Sequence, residues 1–119
     1  LTAIEPDALT KTNRINMLFD FYGLLLTEKQ RTFLKYYFHD DYSLGEIAEE
    51  FEISRQAIYE HIKRAESVLE SCESKLHLLQ KHEAGKEWLS RLEACADGLS
   101  GMDDLADELR RIAQGIRDM

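Results

Sequence analysis

The sequence predicts an all-α bundle built around a helix-turn-helix, and three observations carry that prediction. Of the 119 residues one is proline, Pro6, so the strongest helix breaker is absent from the rest of the chain. Apolar residues recur at spacings of three and four along most of it. Ser43 and Ser54 each stand directly before an apolar-periodic run, where a hydroxyl caps a helix start.

Leu1 to Thr10 shows no clear period and reads as a loose arm. From Asn13 the pattern turns helical, with Ile15, Leu18, Tyr22 and Leu25 on one face and Phe19 and Leu26 widening it. Gly23 weakens this helix or admits a close neighbour. Thr27 with Gln30 three residues on predicts a capping box and a second helix carrying Phe33, Leu34, Tyr37 and Phe38. His39-Asp40-Asp41 is a polar break. Tyr36, Tyr37 and Phe38 read as core packing, with a stacking platform for RNA as the alternative.

Ser43 with Glu46 predicts another capping box and a short third helix from Leu44 to about Glu50. Ala48 suits a close helix crossing, and Ile47, Phe51, Ile53 and Ile58 are expected to fill a shared core. Ser54 opens the fourth helix at Arg55. Ile58, Ile62, Ala65, Leu69, Cys72, Leu76 and Leu79 form a heptad seam with no breaker before Gly85. A helix running on to about His82 would span about 40 Å. Residues 1–84 then form the helix-turn-helix domain.

Residues 85–119 read as a helical hairpin. Trp88, Leu89, Leu92, Cys95, Ala96 and Leu99 share a face, Gly98 to Gly101 makes a turn, and Met102, Leu105, Leu109, Ile112 and Ile116 share a second face. This hairpin packs on the long helix or on a second chain. The apolar seam past Leu69 and the amphipathic tail together predict a homodimer.

In a DNA-binding helix-turn-helix the start of the second helix enters the major groove. Ser54, Arg55, Gln56, Tyr59, Lys63 and Arg64 are expected on its outer face. Arg suits guanine and Gln suits adenine. Lys63, Arg64 and the hydroxyls of Ser54 and Tyr59 suit phosphates. Two features oppose a generic DNA grip. Position 52, after Phe51, is where such a turn favours glycine, and Glu52 there costs about 1 kcal/mol. The charge is also wrong: the chain carries −8 with a pI of about 5.0. Between Ser43 and Glu66, Arg55, Lys63 and Arg64 face six acids, Glu46, Glu49, Glu50, Glu52, Glu60 and Glu66. Few phosphates can be neutralised, so non-specific affinity is expected to be low.

Cys72 and Cys95 lack metal-ligand spacing and are too few for a disulfide framework, which points to a reduced, cytoplasmic setting. His39, His61, His77 and His82 do not share a face with a third ligand, and Glu73 with His77 reads as surface decoration. No membrane-length apolar run, signal-peptide pattern, Gly-rich phosphate loop, nucleophile pair or carboxylate dyad stands out. A binding protein without cofactor or metal is expected, rather than an enzyme.

Lys11 to Tyr22, Leu24 to Gln30, Asp40 to Leu44, Glu46-Ile47-Ala48, Ser54 to Ala57 and Ile62-Lys63-Arg64 together resemble the bacterial YlxM family. The resemblance covers about Lys11 to His77, and Gly45 and Glu52 depart from the Ala and Gly expected there. It implies a bundle similar to the fourth region of sigma factors, which grips promoter DNA. It also implies a regulatory tie to the signal recognition particle pathway, because the family's genes neighbour those of the particle. The expected ligand is then DNA or the particle's RNA, at Ser54, Arg55, Gln56, Tyr59, Lys63 and Arg64. The alternative is a protein-interaction module whose acidic surface meets a basic partner such as the particle's protein subunit.

Overall fold

The computed structural model describes residues 6–119 and is all-α. Among these residues the helices are α1 (Pro6–Tyr22), α2 (Glu28–Leu34), α3 (Leu44–Phe51), α4 (Arg55–Leu76), α5 (Leu78–Asp97) and α6 (Asp103–Arg117). The chain divides into two compact units, one ending at Leu79 and the other spanning Gln80–Met119.

The expected loose arm is corrected where it is described. Helix α1 already begins at Pro6, a residue whose fixed φ and missing N–H suit a first helical position. Leu1 to Glu5 lie outside the described residues. The far end of α1 is also corrected. The helix stops at Tyr22, and a tight turn over Gly23–Leu25 points Leu25 outward and Leu26 into the core. A Cβ at Gly23 would meet the Phe19 ring at 3.3 Å, so a side chain there would have to push that ring aside by a few tenths of an ångström.

Both predicted capping boxes form. Thr27 Oγ1 accepts from the Gln30 N–H, and Gln30 Oε1 accepts from the Thr27 N–H. Ser43 and Glu46 do the same at α3. Helix α2 closes in a wider, π-helical turn over Lys35–His39 that leaves Phe38 buried. There Asn16 Nδ2 donates to the Phe38 carbonyl and ties α1 to this turn.

The core of the first unit joins Ile15, Leu18 and Tyr22 of α1, Phe33 and Leu34 of α2, Ile47 of α3 and Ile58, Ile62, Ala65 and Leu69 of α4. Phe33 meets Phe51 edge-on at 5.0 Å. Tyr36 and Tyr37 pack half-buried against this core, as expected of core aromatics. Ile53 does not join it. It remains 38 % exposed beside Phe33 and Phe51, because the turn carries it past the edge of the core.

That turn depends on Glu52, which sits at φ 56° and ψ 40° and sends its N–H to the Ala48 carbonyl. This is the left-handed geometry that favours glycine. Glu52→Gly should therefore raise stability by about 0.5–1 kcal/mol, read as a higher urea midpoint at unchanged slope. An unchanged or lower midpoint would show that the Glu52 side chain compensates.

The continuous fourth helix is corrected as well. His77 takes φ 56°, ends α4 at Leu76 and lets α5 start at Leu78. Of the predicted seam, Ile58, Ile62, Ala65 and Leu69 are buried, Cys72 is half-buried and Leu79 is buried again beyond the break; Leu76 is the exception. Leu76 is 48 % exposed, and the buried residue on that turn is Glu73, at 7 %. Glu73 is thus no surface decoration. Its Oε1 accepts from the Tyr22 hydroxyl at 2.6 Å and from the Leu79 N–H at 3.0 Å, while the Tyr22 oxygen accepts from the Leu78 N–H at 3.0 Å. Burial, and then the bond to Glu73, push the Tyr22 phenol above its usual range, so it stays a donor.

In the second unit α5 and α6 run antiparallel. Arg110 pairs with Asp97 at 2.8 Å, and Arg117 pairs with Glu93 one helical turn deeper. Gly101, at φ 75°, shapes the turn between them. Leu89 and Ala96 of α5 and Ala106 and Ala113 of α6 are buried. The predicted outer members of the two apolar faces are not: Trp88, Leu105, Ile112 and Ile116 stay exposed, and Cys95 with them.

Candidate nucleic-acid interface

Ser54 stands in extended geometry, and its Oγ accepts from the Ala57 N–H at 3.0 Å, so α4 starts where the sequence places it. Ile58, Ile62, Ala65 and Leu69 anchor one side of α4 in the core. The opposite side carries Ser54, Arg55, Gln56, Tyr59, Lys63 and Arg64, all exposed. They do not form one patch. At about 100° per residue, Arg55, Gln56, Tyr59 and Lys63 fall within one sector. Arg64 lies about 100° further round than Lys63, on the flank toward α2.

Partners decide how available each charge is. Among the described residues Arg55 forms no ion pair. Lys63 Nζ lies 5.5 Å from the Tyr59 ring centre and 3.8 Å from Glu66, a loose contact. Glu66 is held more closely by Lys11 of α1, at 3.0 Å, and its carboxylate in turn raises the Lys11 ammonium above its usual range. Arg14 of α1 clamps Glu70 through two bonds of 2.9 and 2.7 Å and holds that carboxyl below the usual range. Helix α1 thus neutralises Glu66, one of the six acids that the local charge balance counts against binding, and Glu70 one turn beyond it. Glu46 is engaged in its capping box, and Glu60 accepts from Gln56 at 3.4 Å.

The α2 flank has its own character. An Arg64 nitrogen meets His61 Nδ1 at 3.4 Å, and the His61 ring lies 5.3 Å from Phe33. Burial, then Arg64 and Lys29, push the His61 imidazole below its usual range, which favours the neutral ring. Lys11 of α1 borders the outer surface of α4 and Lys29 of α2 bears on the charge of His61, yet neither is legible as part of the site in the sequence. Their positions depend on packing between helices distant in the chain. Tyr42 also joins this surface, 38 % exposed and with its ring 4.9 Å from Tyr36.

Among the described residues no three metal-ligating side chains gather, and no helix is long and apolar enough to cross a membrane. What the surface offers is a short strip of cation, amide and aromatic groups on a rigid two-helix support. The same family is reached by comparison: residues 9–109 match UPF0122, the YlxM / p13 like helix-turn-helix proteins. The chain belongs to the UPF0122 family. It is 60 % identical over 84 residues to a UPF0122 protein of Listeria monocytogenes serotype 4b, covering 71 % of this chain and 76 % of that one. It is 54 % identical over 91 residues to the UPF0122 protein YlxM of Bacillus subtilis, covering 76 % and 83 %. A UPF0122 protein of Bacillus mycoides is 46 % identical over 111 residues, 93 % of this chain and 98 % of that one. The family's helix-turn-helix description agrees with the α3–α4 geometry.

Proposed function

We propose that the chain is a nucleic-acid-binding regulatory protein that uses the first turns of α4, acting in the cytoplasm. The observation that carries this reading is the exposure of Arg55, Gln56, Tyr59 and Lys63 in one sector at the start of a capped helix, with Arg55 unpaired by any described acid. Arg and Gln present the donor patterns that guanine and adenine edges accept. The tie to the signal recognition particle that the YlxM resemblance implies makes that particle's RNA the first ligand to test, beside duplex DNA.

With so few available cations, binding should depend only shallowly on salt. A titration at several salt concentrations should give a log–log slope of about −2, the release expected for two or three phosphates. No binding to either nucleic acid at low salt overturns the proposal. A second reading is favoured by the net charge of −8 and by Glu49 and Glu50 exposed on α3: a protein module that meets a basic partner, such as the particle's protein subunit. Capture of that protein together with failure to bind nucleic acid selects it. In either reading, the exposed Leu105, Ile112 and Ile116 of α6 support a homodimer, which sedimentation at micromolar concentration tests.

A further inference from the structure

Beside the sector that holds Tyr59 and Lys63, the first unit has a cleft of about 430 Å³. It lies between the start of α1, the segment leading into α3 and the outer side of α4. That volume falls in the ~300–1,000 Å³ range of small-ligand sites. Three tyrosines, Tyr37, Tyr42 and Tyr59, line it together with Lys11 and Lys63. Tyr42 and Tyr59 are 38 % and 43 % exposed, far more than core packing requires. Tyr42 is backed by Tyr36 at 4.9 Å, and Tyr37 by Phe38 at 5.0 Å, so the rings are held as walls.

We propose that this cleft receives one unstacked nucleobase of a bound strand, stacked on tyrosine, with its phosphate at Lys11 and Lys63. The inference rests on the reading of α4 as a nucleic-acid interface and deepens it. Aromatic faces exposed in a recess are how proteins hold splayed bases, and stacking tolerates any base. Position supports the match. Lys63 and Tyr59 belong to both the α4 sector and the cleft, so a backbone following α4 passes the cleft mouth. Both lysines are about half exposed and share the single carboxylate of Glu66. Asp41 also lines the cleft, so its two lysines and two acids balance overall, and a phosphate is met by the half-exposed ammonium groups themselves, which donate to it in place of Glu66. Perfect duplex cannot use such a site, because its bases are stacked and paired. The ligand class is therefore a strand with a bulge, loop or end.

The test uses the full chain and two RNA hairpins that share a stem, one fully paired and one with a single bulged 2-aminopurine. The bulged hairpin should bind about tenfold more tightly, and its fluorescence should be quenched on binding as the base stacks. Tyr42→Ala should remove both the preference and the quenching, while Tyr42→Phe keeps them. Thermal melting checks that the variants fold. If Tyr42→Ala does not, Ala8→Glu, which sets an acid at the exposed cleft mouth on α1, should give the same loss of preference. Equal affinity for the two hairpins, or undiminished quenching in Tyr42→Ala or Ala8→Glu, overturns the cleft while leaving the α4 interface standing. Failure of both hairpins and of duplex DNA to bind overturns both. A DNA copy of the bulged hairpin shows which kind of strand supplies the base.

Discussion

Glu73→Ala should lower the stability of the chain by about 3 kcal/mol, the largest loss expected from any polar side chain described here. The cause is local. His77 breaks the helix, so the first N–H groups of α5 have no carbonyl partners behind them. Tyr22 of α1 accepts the Leu78 N–H, and Glu73 of α4 accepts the Leu79 N–H and the Tyr22 hydroxyl. A carboxylate at the start of α5 also meets the positive end of its dipole. Removing Glu73 strands two buried donors at once, and each stranded group costs about 1–3 kcal/mol. Tyr22→Phe should cost less, since the Glu73 carboxylate keeps the Leu79 N–H. Urea unfolding monitored by circular dichroism checks both variants. A Glu73→Ala midpoint equal to wild type would mean that solvent replaces the carboxylate without cost.

Arg55→Ala with Lys63→Ala should weaken nucleic-acid binding about a hundredfold and flatten its salt slope by roughly one, the loss expected of one base contact and one phosphate contact. Both side chains are exposed, so the melting temperature should stay within a degree or two of wild type. Arg64→Ala should cost clearly less, because Arg64 faces α2 and leans on His61. The comparison locates the ligand on one flank of α4. Equal losses from Arg64→Ala would mean that the ligand wraps the helix instead, and no loss from the double variant would remove α4 from the contact.

The parts of the fold set by neighbours in sequence were legible before the structure. Thr27/Gln30, Ser43/Glu46 and Ser54 mark helix starts through bonds spanning three residues, and the structure forms all three caps. The end of α4 was not legible, because nothing local at His77 signals a stop. The break is held by Tyr22, distant in the chain, and a heptad pattern continuing through Leu76 and Leu79 conceals it. The α6 face was read correctly in period but not in contact. Ala106 and Ala113 are the buried positions of α6, and Ile112 and Ile116 are left exposed. In the candidate site, the exposure of the α4 residues followed from the buried positions of Ile58, Ile62 and Ala65. The placement of Lys11 and Tyr42 beside α4 did not, since they are brought there by packing of α1 and of the segment before α3.

The central claim is that the ligand lies on the outer start of α4, within a chain whose overall charge would repel it. Nuclear magnetic resonance of the isotope-labelled chain, titrated with the particle's RNA and with duplex DNA, tests it most directly. Amide shifts concentrated at Ser54 to Arg64, extending to Lys11 and Tyr42 and sparing Asp103 to Arg117, are the predicted result. Shifts confined to α3 or α6, or no shifts with either nucleic acid, would contradict it.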